Sequence, residues 1–277
     1  MTGPLGLDPA TLLAEWARRV RANNEQAERF REAPERPDFY APIASTFKAN
    51  PRRTDEPALD VLRGLVVPGE TWLDIGAGGG RYALPLALAG AHVTAVDPSQ
   101  GMLAVLAEAA AEFGVEGVTA VESRWPMANP PRADVAFIAH VGYDIADIGP
   151  FLDAMEASAG RLCVAVLLAE APATQAALLW PGVHGVERDL LPALQEFLVL
   201  LLARGKVFTV WLGERTPGSH ASLESIVGFA RQQLFIEPDG PLAPKMLEAL
   251  KSLAIERDGR FYLSDRPVPL GVVTWKP

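Results

Sequence analysis

Two acidic residues around a glycine-rich segment have the residue types and spacing of a ligand site. Asp74 lies at the end of an apolar run, the segment Gly76-Ala77-Gly78-Gly79-Gly80 follows it, and Asp97 stands about 20 residues further on, after a second apolar run. Glycines let the backbone approach a ligand closely and accept positive φ angles. An acid at the end of the next strand can accept hydrogen bonds from both hydroxyls of a ribose. The pattern therefore predicts an adenosine-binding pocket.

Other nucleotide-binding motifs fit this segment less well. A dinucleotide fingerprint requires a third glycine where this chain has Arg81, and no phosphate loop of the type G-x-x-x-x-G-K-[ST] occurs. The Asp74 carboxylate would repel a pyrophosphate but attract an ammonium or sulfonium group. We therefore expect a ligand that carries a positive charge as well as an adenosine.

The region from about residue 70 to 168 resembles the S-adenosylmethionine-dependent methyltransferases of the Rossmann-like class. Asp74 and the glycines match that family's first motif, Val96-Asp97-Pro98-Ser99 resembles its second, and Ala133-Asp134-Val135-Ala136-Phe137-Ile138 resembles its fourth strand. The resemblance implies S-adenosyl-L-methionine as cofactor and an enzyme that transfers a methyl group. It also implies a doubly wound, mostly parallel, seven-stranded α/β sheet.

The resemblance assigns cofactor contacts to positions after the first four strands. The family often places an acid or amide against the adenine after the third strand, where this chain has Ser123, Arg124 and Trp125. The predicted cofactor-binding residues are Asp74, Gly76, Ala77, Gly78, Gly80, Tyr82, Asp97, Pro98, Ser99, Met102, Ser123, Arg124, Trp125 and His140.

His140 and Tyr143 are the predicted catalytic residues. Both follow the fourth strand, whose end borders the transferable methyl in this family. An imidazole that titrates near neutral pH could remove a proton from a hydroxyl or amine. His140 could instead bind the methionine part of the cofactor or pack in the core, and Tyr143 is expected to shape the site. His184 could face the substrate, although a role in ordering its loop is the simpler interpretation.

Composition limits the partners. A net charge of −9 argues against a nonspecific nucleic-acid surface. The single cysteine, Cys163, fits a reducing cytoplasm, and no apolar run approaches the roughly 20 residues that span a bilayer. No motif with the spacing of metal ligands occurs. We expect a cytoplasmic protein with a small-molecule partner, without a metal, nucleic acid or membrane, and the oligomeric state stays open.

Strands and helices alternate in the order that would position these residues. Strands are predicted at residues 71–75, 92–96, 118–122, 133–139, 161–168, 207–212 and 270–274, and helices at 81–89, 101–113, 148–159, 190–203, 223–235 and 244–253. Gly90, Gly114 and Gly160 are expected to end helices. The predicted organisation is a helical cap (1–55), a core (56–213 and 266–277) and a helical insertion (214–265) that could cover the substrate. Within the cap, Phe39, Tyr40 and Phe47 are candidate lid residues, and packing of their rings within the cap is the alternative.

Three functions remain open at this point. The first is methyl transfer to a small molecule, and the second is a regulatory module that binds the cofactor without turnover. The third, methylation of RNA or protein, would need an open cleft with basic or peptide-binding character, which the acidic composition does not favour. A cavity enclosed by His140, Tyr143 and His184 would favour the first.

Overall fold

The computed structural model describes residues 6–34, 38 and 40–277 of the chain. The helices are α1 (Pro9–Phe30), α2 (Pro57–Leu65), α3 (Ala83–Leu88), α4 (Gln100–Phe113), α5 (Ile148–Ser158), α6 (Trp180–His184), α7 (Leu194–Ala203), α8 (Leu223–Gln233) and α9 (Ala243–Leu253). The strands are β1 (Thr71–Ile75), β2 (His92–Asp97), β3 (Val118–Glu122), β4 (Ala133–Ala139), β5 (Ala159–Leu168), β6 (Phe208–Arg215), β7 (Ile255–Arg257), β8 (Arg260–Tyr262) and β9 (Val268–Trp275). Short 3₁₀ helices occupy Ala41–Phe47, Pro172–Thr174 and Ala177–Leu179.

Seven strands form one sheet in the order β3-β2-β1-β4-β5-β9-β6. Neighbouring strands from β3 to β5 pair in parallel, and β9 is antiparallel to both β5 and β6. The predicted seven-stranded, mostly parallel sheet is therefore confirmed. Strand order reverses beside β1, so a crevice opens at the carboxyl ends of β1, β2 and β4, where such folds bind ligands.

Helices cover both faces of the sheet. On one face, apolar residues of α1, α5 and α7 pack against β4, β5 and β9, with Trp16, Phe151 and Phe197 among the buried side chains. On the other face, α2 and α3 pack against β1, β4 and β9, with Leu59 and Trp72 buried. Burial on both faces is typical of a doubly wound parallel sheet.

The structure differs from the predicted elements in a few places. Strand β6 continues to Arg215, so the last residues of this strand belong to the sheet and not to the insertion. The insertion is not wholly helical, because β7 and β8 form a hairpin after α9. Helix α5 ends at Ser158, and Gly160 lies inside β5. Gly114, in contrast, caps α4 in the left-handed conformation as expected.

The long helix α1 ties the amino-terminal segment to the rest of the fold. The Asp8 side chain accepts hydrogen bonds from the backbone N–H groups of Ala10 and Thr11 and so caps the start of this helix. Further along, Trp16 donates its indole N–H to the Ile145 carbonyl at 3.0 Å. At the far end, the Glu32 carboxylate accepts from the backbone N–H groups of Glu237 and Leu242 in the insertion. No helix in the described part of the chain is long and apolar enough to cross a membrane.

Candidate functional site

Asp97 fixes the glycine-rich loop at the carboxyl end of β2. Its carboxylate accepts the backbone N–H of Gly78 at 2.9 Å and that of Ser99 at 2.8 Å, and the residue is buried. The Val96 carbonyl receives the N–H groups of Gly76 and Ala77. One carboxylate thus joins the loop after β1 to the start of α4, and each oxygen still has a lone pair for a ligand hydroxyl.

The glycines of this loop are required by conformation and by space. Gly76, Gly78 and Gly80 all have positive φ, at 76°, 53° and 78°. A Cβ at Gly76 would lie 2.5 Å from Val141 Cγ2, and one at Gly80 would lie 2.9 Å from Leu106. Side chains at these positions would strain the backbone and clash with the loop after β4 and with α4.

Asp74 places a nearly inaccessible carboxylate beside this loop. The residue is 2% exposed, and within the described residues its side chain accepts no hydrogen bond. Burial, together with the charge of Asp97, raises the pKa of Asp74 to about 8. A buried acid of this kind is stabilised by a cationic ligand, which restores the charged form.

This raised pKa predicts that cofactor affinity depends on pH. A cationic ligand binds the ionised carboxylate, so below pH 8 binding must release a proton from Asp74. We expect the affinity for S-adenosylhomocysteine to rise by up to about tenfold per pH unit as the pH approaches that value, and then to level off. Isothermal titration across this range measures the slope. Asp74→Asn should bind more weakly and flatten the curve, and an unchanged slope in that variant would contradict the assignment.

The amino-terminal segment closes over the start of α4. The Asp38 carboxylate accepts from Ser99 Oγ at 2.8 Å and from the backbone N–H groups of Tyr40 and Ala41. Ser99 in turn accepts the Met102 N–H, the helix cap that the sequence predicts. These bonds hold the 3₁₀ helix Ala41–Phe47 against α4.

Two aromatic residues of this segment approach the loop. Tyr40 is 43% exposed and its ring packs edge-on against Phe47, and burial of its hydroxyl together with the carboxylates of Asp144 and Asp97 raises its pKa to about 12. Phe47 lies against Gly79, where a Cβ would meet the Phe47 carbonyl at 3.4 Å. The third predicted lid residue, Phe39, lies outside the described residues.

The residues predicted to contact adenine after β3 separate into two groups. Ser123 donates its N–H to the Asp97 carbonyl at 3.1 Å, so it borders the site. Trp125 donates its indole N–H to the Phe151 carbonyl and packs against α5. Arg124 and Pro98 are exposed. The structure thus brings Ser123 to Asp97, whereas Trp125 is engaged in the core.

His140 lies at the end of β4 in a hydrogen-bonded chain with Tyr82 and Glu56. The Tyr82 hydroxyl donates to Glu56 Oε1 at 2.5 Å and lies 3.2 Å from His140 Nε2. Because the hydroxyl proton is directed to Glu56, the fitting tautomer carries its proton on Nε2. His140 Nδ1 is then a buried acceptor without a partner in the described structure. His140 also has a φ of 58°, an uncommon value for a residue other than glycine.

The charges around His140 change its expected titration. Burial and the nearby charges of Arg215 and Arg81 lower the pKa of His140 to about 3. The imidazole of the free protein is therefore neutral at every physiological pH. The expectation of a histidine that titrates near neutral pH is wrong for this environment. Burial removes water from the ring, and the positive charges of Arg215 and Arg81 repel a proton, so both disfavour the imidazolium form.

The side chains of Tyr143 and His184 both contact the backbone, which gives each of them a structural role. The Tyr143 hydroxyl accepts the backbone N–H of Leu168 at 2.7 Å, and burial raises its pKa. His184 contacts the Leu234 carbonyl through Nε2 and packs between Phe30 and Trp180. Tyr143 thus orders the end of β5, and His184 belongs to the core of the insertion, away from the predicted cavity.

Sequence reasoning missed the charged residues around Tyr82. The Glu56 carboxylate accepts hydrogen bonds from Arg53 Nε at 2.8 Å and from Arg81 Nη2 at 2.7 Å. Arg215, at the end of β6, interacts with the same carboxylate electrostatically. Burial opposes its ionisation, but these arginines and Tyr82 hold the pKa of Glu56 at about 2. These contacts join residues that are far apart in the chain and carry no motif. Among the described residues, no group of three His, Cys, Asp or Glu side chains could hold a metal ion.

Comparison with known proteins finds a family match for the segment that carries the site. Residues 73–157 match a family model described as a methyltransferase domain. That segment contains Asp74, the glycine-rich loop, Asp97 and His140. By this match residues 73–157 are similar to a methyltransferase domain, and the sheet that contains them has the Rossmann-like fold. A methyltransferase domain of this kind implies S-adenosylmethionine as the methyl donor.

Individual relatives match this chain either over a short segment or at low sequence identity. An uncharacterized protein of Haemophilus influenzae is 43% identical over 68 residues, which span 24% of this chain and only 25% of that protein. Among solved structures, the YcgJ protein from Bacillus subtilis has a TM-score of 0.54 at 15% identity, covering 79% of this chain and 98% of that one. A coclaurine N-methyltransferase has a TM-score of 0.51 at 11% identity, covering 97% and 93%. These structures support the fold.

Proposed function

We propose that this methyltransferase transfers the methyl group of S-adenosylmethionine to a small molecule held beneath the amino-terminal segment. The contact between Asp38 and Ser99 carries this proposal, because it closes the segment over the carboxyl ends of β1 and β2. A site covered by such a segment suits a small acceptor better than a folded RNA or protein. The net charge of −9 also does not favour a nucleic-acid substrate.

The side chains can hold a bound cofactor in one orientation. Asp97 would accept the ribose hydroxyls, and Asp74 would face the positively charged end of the cofactor. Gly76, Gly78 and Gly80 leave room for the ligand against the backbone. The cofactor supplies a methyl on a sulfonium, whose displacement needs alignment more than acid catalysis. Ser99, Met102 and Ser123 would line the adenine side, and the end of β4 would border the methyl.

His140 is the residue that we propose to act on the acceptor. Its unprotonated Nδ1 is aligned by the contact of Nε2 with Tyr82 and can accept a proton from an acceptor hydroxyl or amine. Buried polar atoms are normally satisfied, so an acceptor without a partner points to a group supplied by a ligand. Tyr143 is assigned a supporting role through its bond to Leu168.

The likeness to coclaurine N-methyltransferase supports a small acceptor. That structure is described as bound to N-methylheliamine and S-adenosylhomocysteine, and it covers 97% of this chain. The same overall arrangement can therefore enclose a small organic acceptor.

A labelled-methyl assay separates the three functions. The protein is incubated with S-adenosylmethionine labelled in its methyl group and with small-metabolite, RNA and protein fractions of one cell extract. We expect label to enter the small-metabolite fraction. Label in RNA or protein would contradict the small-molecule acceptor, and cofactor binding without transfer to any fraction would indicate a regulatory module.

A further inference from the structure

Arg215 is a partly buried cation at the same carboxyl edge of the sheet as the candidate site. It is the last residue of β6 and pairs in register with Val268 at the start of β9. Beside it, Ala169 after β5 bonds to Pro269, so Arg215 lies at the carboxyl edge of the sheet. Its guanidinium lies within electrostatic range of Tyr82, Tyr143 and Glu56.

The nearby carboxylate is already shared. Glu56 Oε2 accepts hydrogen bonds from Arg53 and Arg81, and Glu56 Oε1 accepts one from the Tyr82 hydroxyl. Two arginines therefore already pair with this acid, and across the described residues the Arg215 side chain makes neither an ion pair nor a hydrogen bond. A partly buried cation without a counter-ion is costly, because the protein interior solvates it poorly.

Two further atoms in this cluster lack partners. His140 Nδ1 is a buried acceptor, and Arg81 Nε is a buried donor, and neither has a partner in the part of the chain that the structure describes. Both belong to residues that contact Tyr82 or Glu56. The cluster therefore offers positive charge, one free donor and one free acceptor within a single region.

We propose that the methyl acceptor carries an anionic group, a carboxylate or a phosphate monoester, which binds to Arg215. This inference rests on the proposed function, since it assigns the substrate class of the same site. The planar guanidinium can donate two parallel hydrogen bonds to either anion. The same molecule would present its methyl-accepting hydroxyl or amine to His140 Nδ1.

The position of Arg215 separates this anion from the carboxylate of the cofactor. Asp97 and Asp74 stand on β2 and β1, and His140 follows β4. Strand β6 is four places from β1 in the sheet, about 19 Å at the usual strand spacing. An anion on Arg215 thus lies beyond His140 as seen from Asp97, on the side where an acceptor must approach the methyl.

Anion binding would also change the chemistry of His140. Arg215 is among the causes that lower the pKa of this imidazole. An anion on Arg215 offsets that positive charge, so the basicity of His140 would increase when the acceptor is bound. The acceptor would thereby help to activate the group that takes its proton.

The test uses matched small probes on the full-length protein, with and without saturating S-adenosylhomocysteine. Benzoate and phenyl phosphate are titrated against benzamide, their neutral analogue, by calorimetry, for the parent and for Arg215→Gln, Arg215→Lys and Arg161→Gln. Arg161 is a control because it lies near the start of β5, at the end of the strands opposite to the site, where its guanidinium donates a hydrogen bond to Glu70. Thermal unfolding confirms that each variant is folded.

We expect at least one anion to bind the parent and Arg161→Gln, and benzamide to bind neither. Arg215→Gln should weaken anion binding by about tenfold or more, and Arg215→Lys by less, because the charge is kept. The proposal is overturned by equal binding of benzamide, by anion affinity that does not depend on Arg215, or by no anion binding at all. A parallel loss of S-adenosylhomocysteine in Arg215→Gln would assign this arginine to the cofactor. If the parent does not bind S-adenosylhomocysteine, the proposed function fails, while the titration without it still tests Arg215.

Discussion

Substitution of His140 by asparagine is expected to lower turnover by about 10²–10⁴-fold, the usual contribution of a general base. Asparagine tolerates the left-handed backbone at this position, where φ is 58°, so it removes the imidazole with little added strain. Cofactor affinity should change little, because the main cofactor anchors are Asp97 and the loop after β1. Initial rates at saturating cofactor, with titration calorimetry on the same variant, measure the two effects separately.

The pH profile of the parent gives an independent check on His140. Its pKa is lowered to about 3, so at saturating cofactor kcat/KM should show no histidine titration near the unperturbed value of about 6.5. Full turnover in His140→Asn would place the base elsewhere or show that none is needed. A parallel loss of cofactor affinity would instead make His140 a cofactor ligand.

Replacement of Gly78 by valine is expected to raise the dissociation constant of the cofactor by about a hundredfold or more. Gly78 has a φ of 53°, and its N–H is bonded to Asp97. A Cβ there would lie 3.2 Å from Met102 Cε. A branched side chain would therefore displace the loop from Asp97 and occupy space that the ligand needs. Titration calorimetry with S-adenosylhomocysteine measures the loss.

Gly114→Val is the matched control for this substitution. Gly114 has a similar φ of 60°, but nothing lies within 4 Å of a Cβ at that position, which caps α4. Both variants should lose comparable stability through backbone strain, and only the Gly78 variant should lose the cofactor. Equal affinities in the two variants would show that the loop is not the binding element.

The cofactor loop could be predicted from sequence because its signal is local. The spacing of Asp74, the glycines and Asp97 reflects a strand, a tight turn and the next strand, all of which are adjacent in the chain. Positive φ at three of the glycines is the physical reason for the motif. The strands were predicted to within a few residues for the same reason, since apolar runs and breakers mark them directly.

The charged cluster could not be predicted because it is built from distant parts of the chain. Glu56 precedes α2, Tyr82 precedes α3, and Arg215 ends β6. None of them has a recognisable spacing to the others. The lowered pKa of His140 follows from this cluster, so its chemistry was also beyond sequence reasoning.

The β7–β8 hairpin was missed although its signal was present. Asp258 and Gly259 both have positive φ in the structure, at 52° and 70°, and connect Arg257 to Arg260. An Asp-Gly pair between short β-rich segments is a strong hairpin signal. Its strands are only three residues long, so the helical pattern of the insertion dominated the prediction.

Binding of S-adenosylhomocysteine to the parent, Asp97→Ala and Asp134→Ala, measured by isothermal titration, tests the central claim most directly. Asp134 is a fitting control because its carboxylate also anchors backbone, at Thr71, but at the opposite edge of the sheet. We predict that the parent and Asp134→Ala bind alike and that Asp97→Ala binds about 10- to 100-fold more weakly, as expected for lost charge-assisted hydrogen bonds. Parent-like affinity in Asp97→Ala, or no binding to the parent, would contradict the cofactor site.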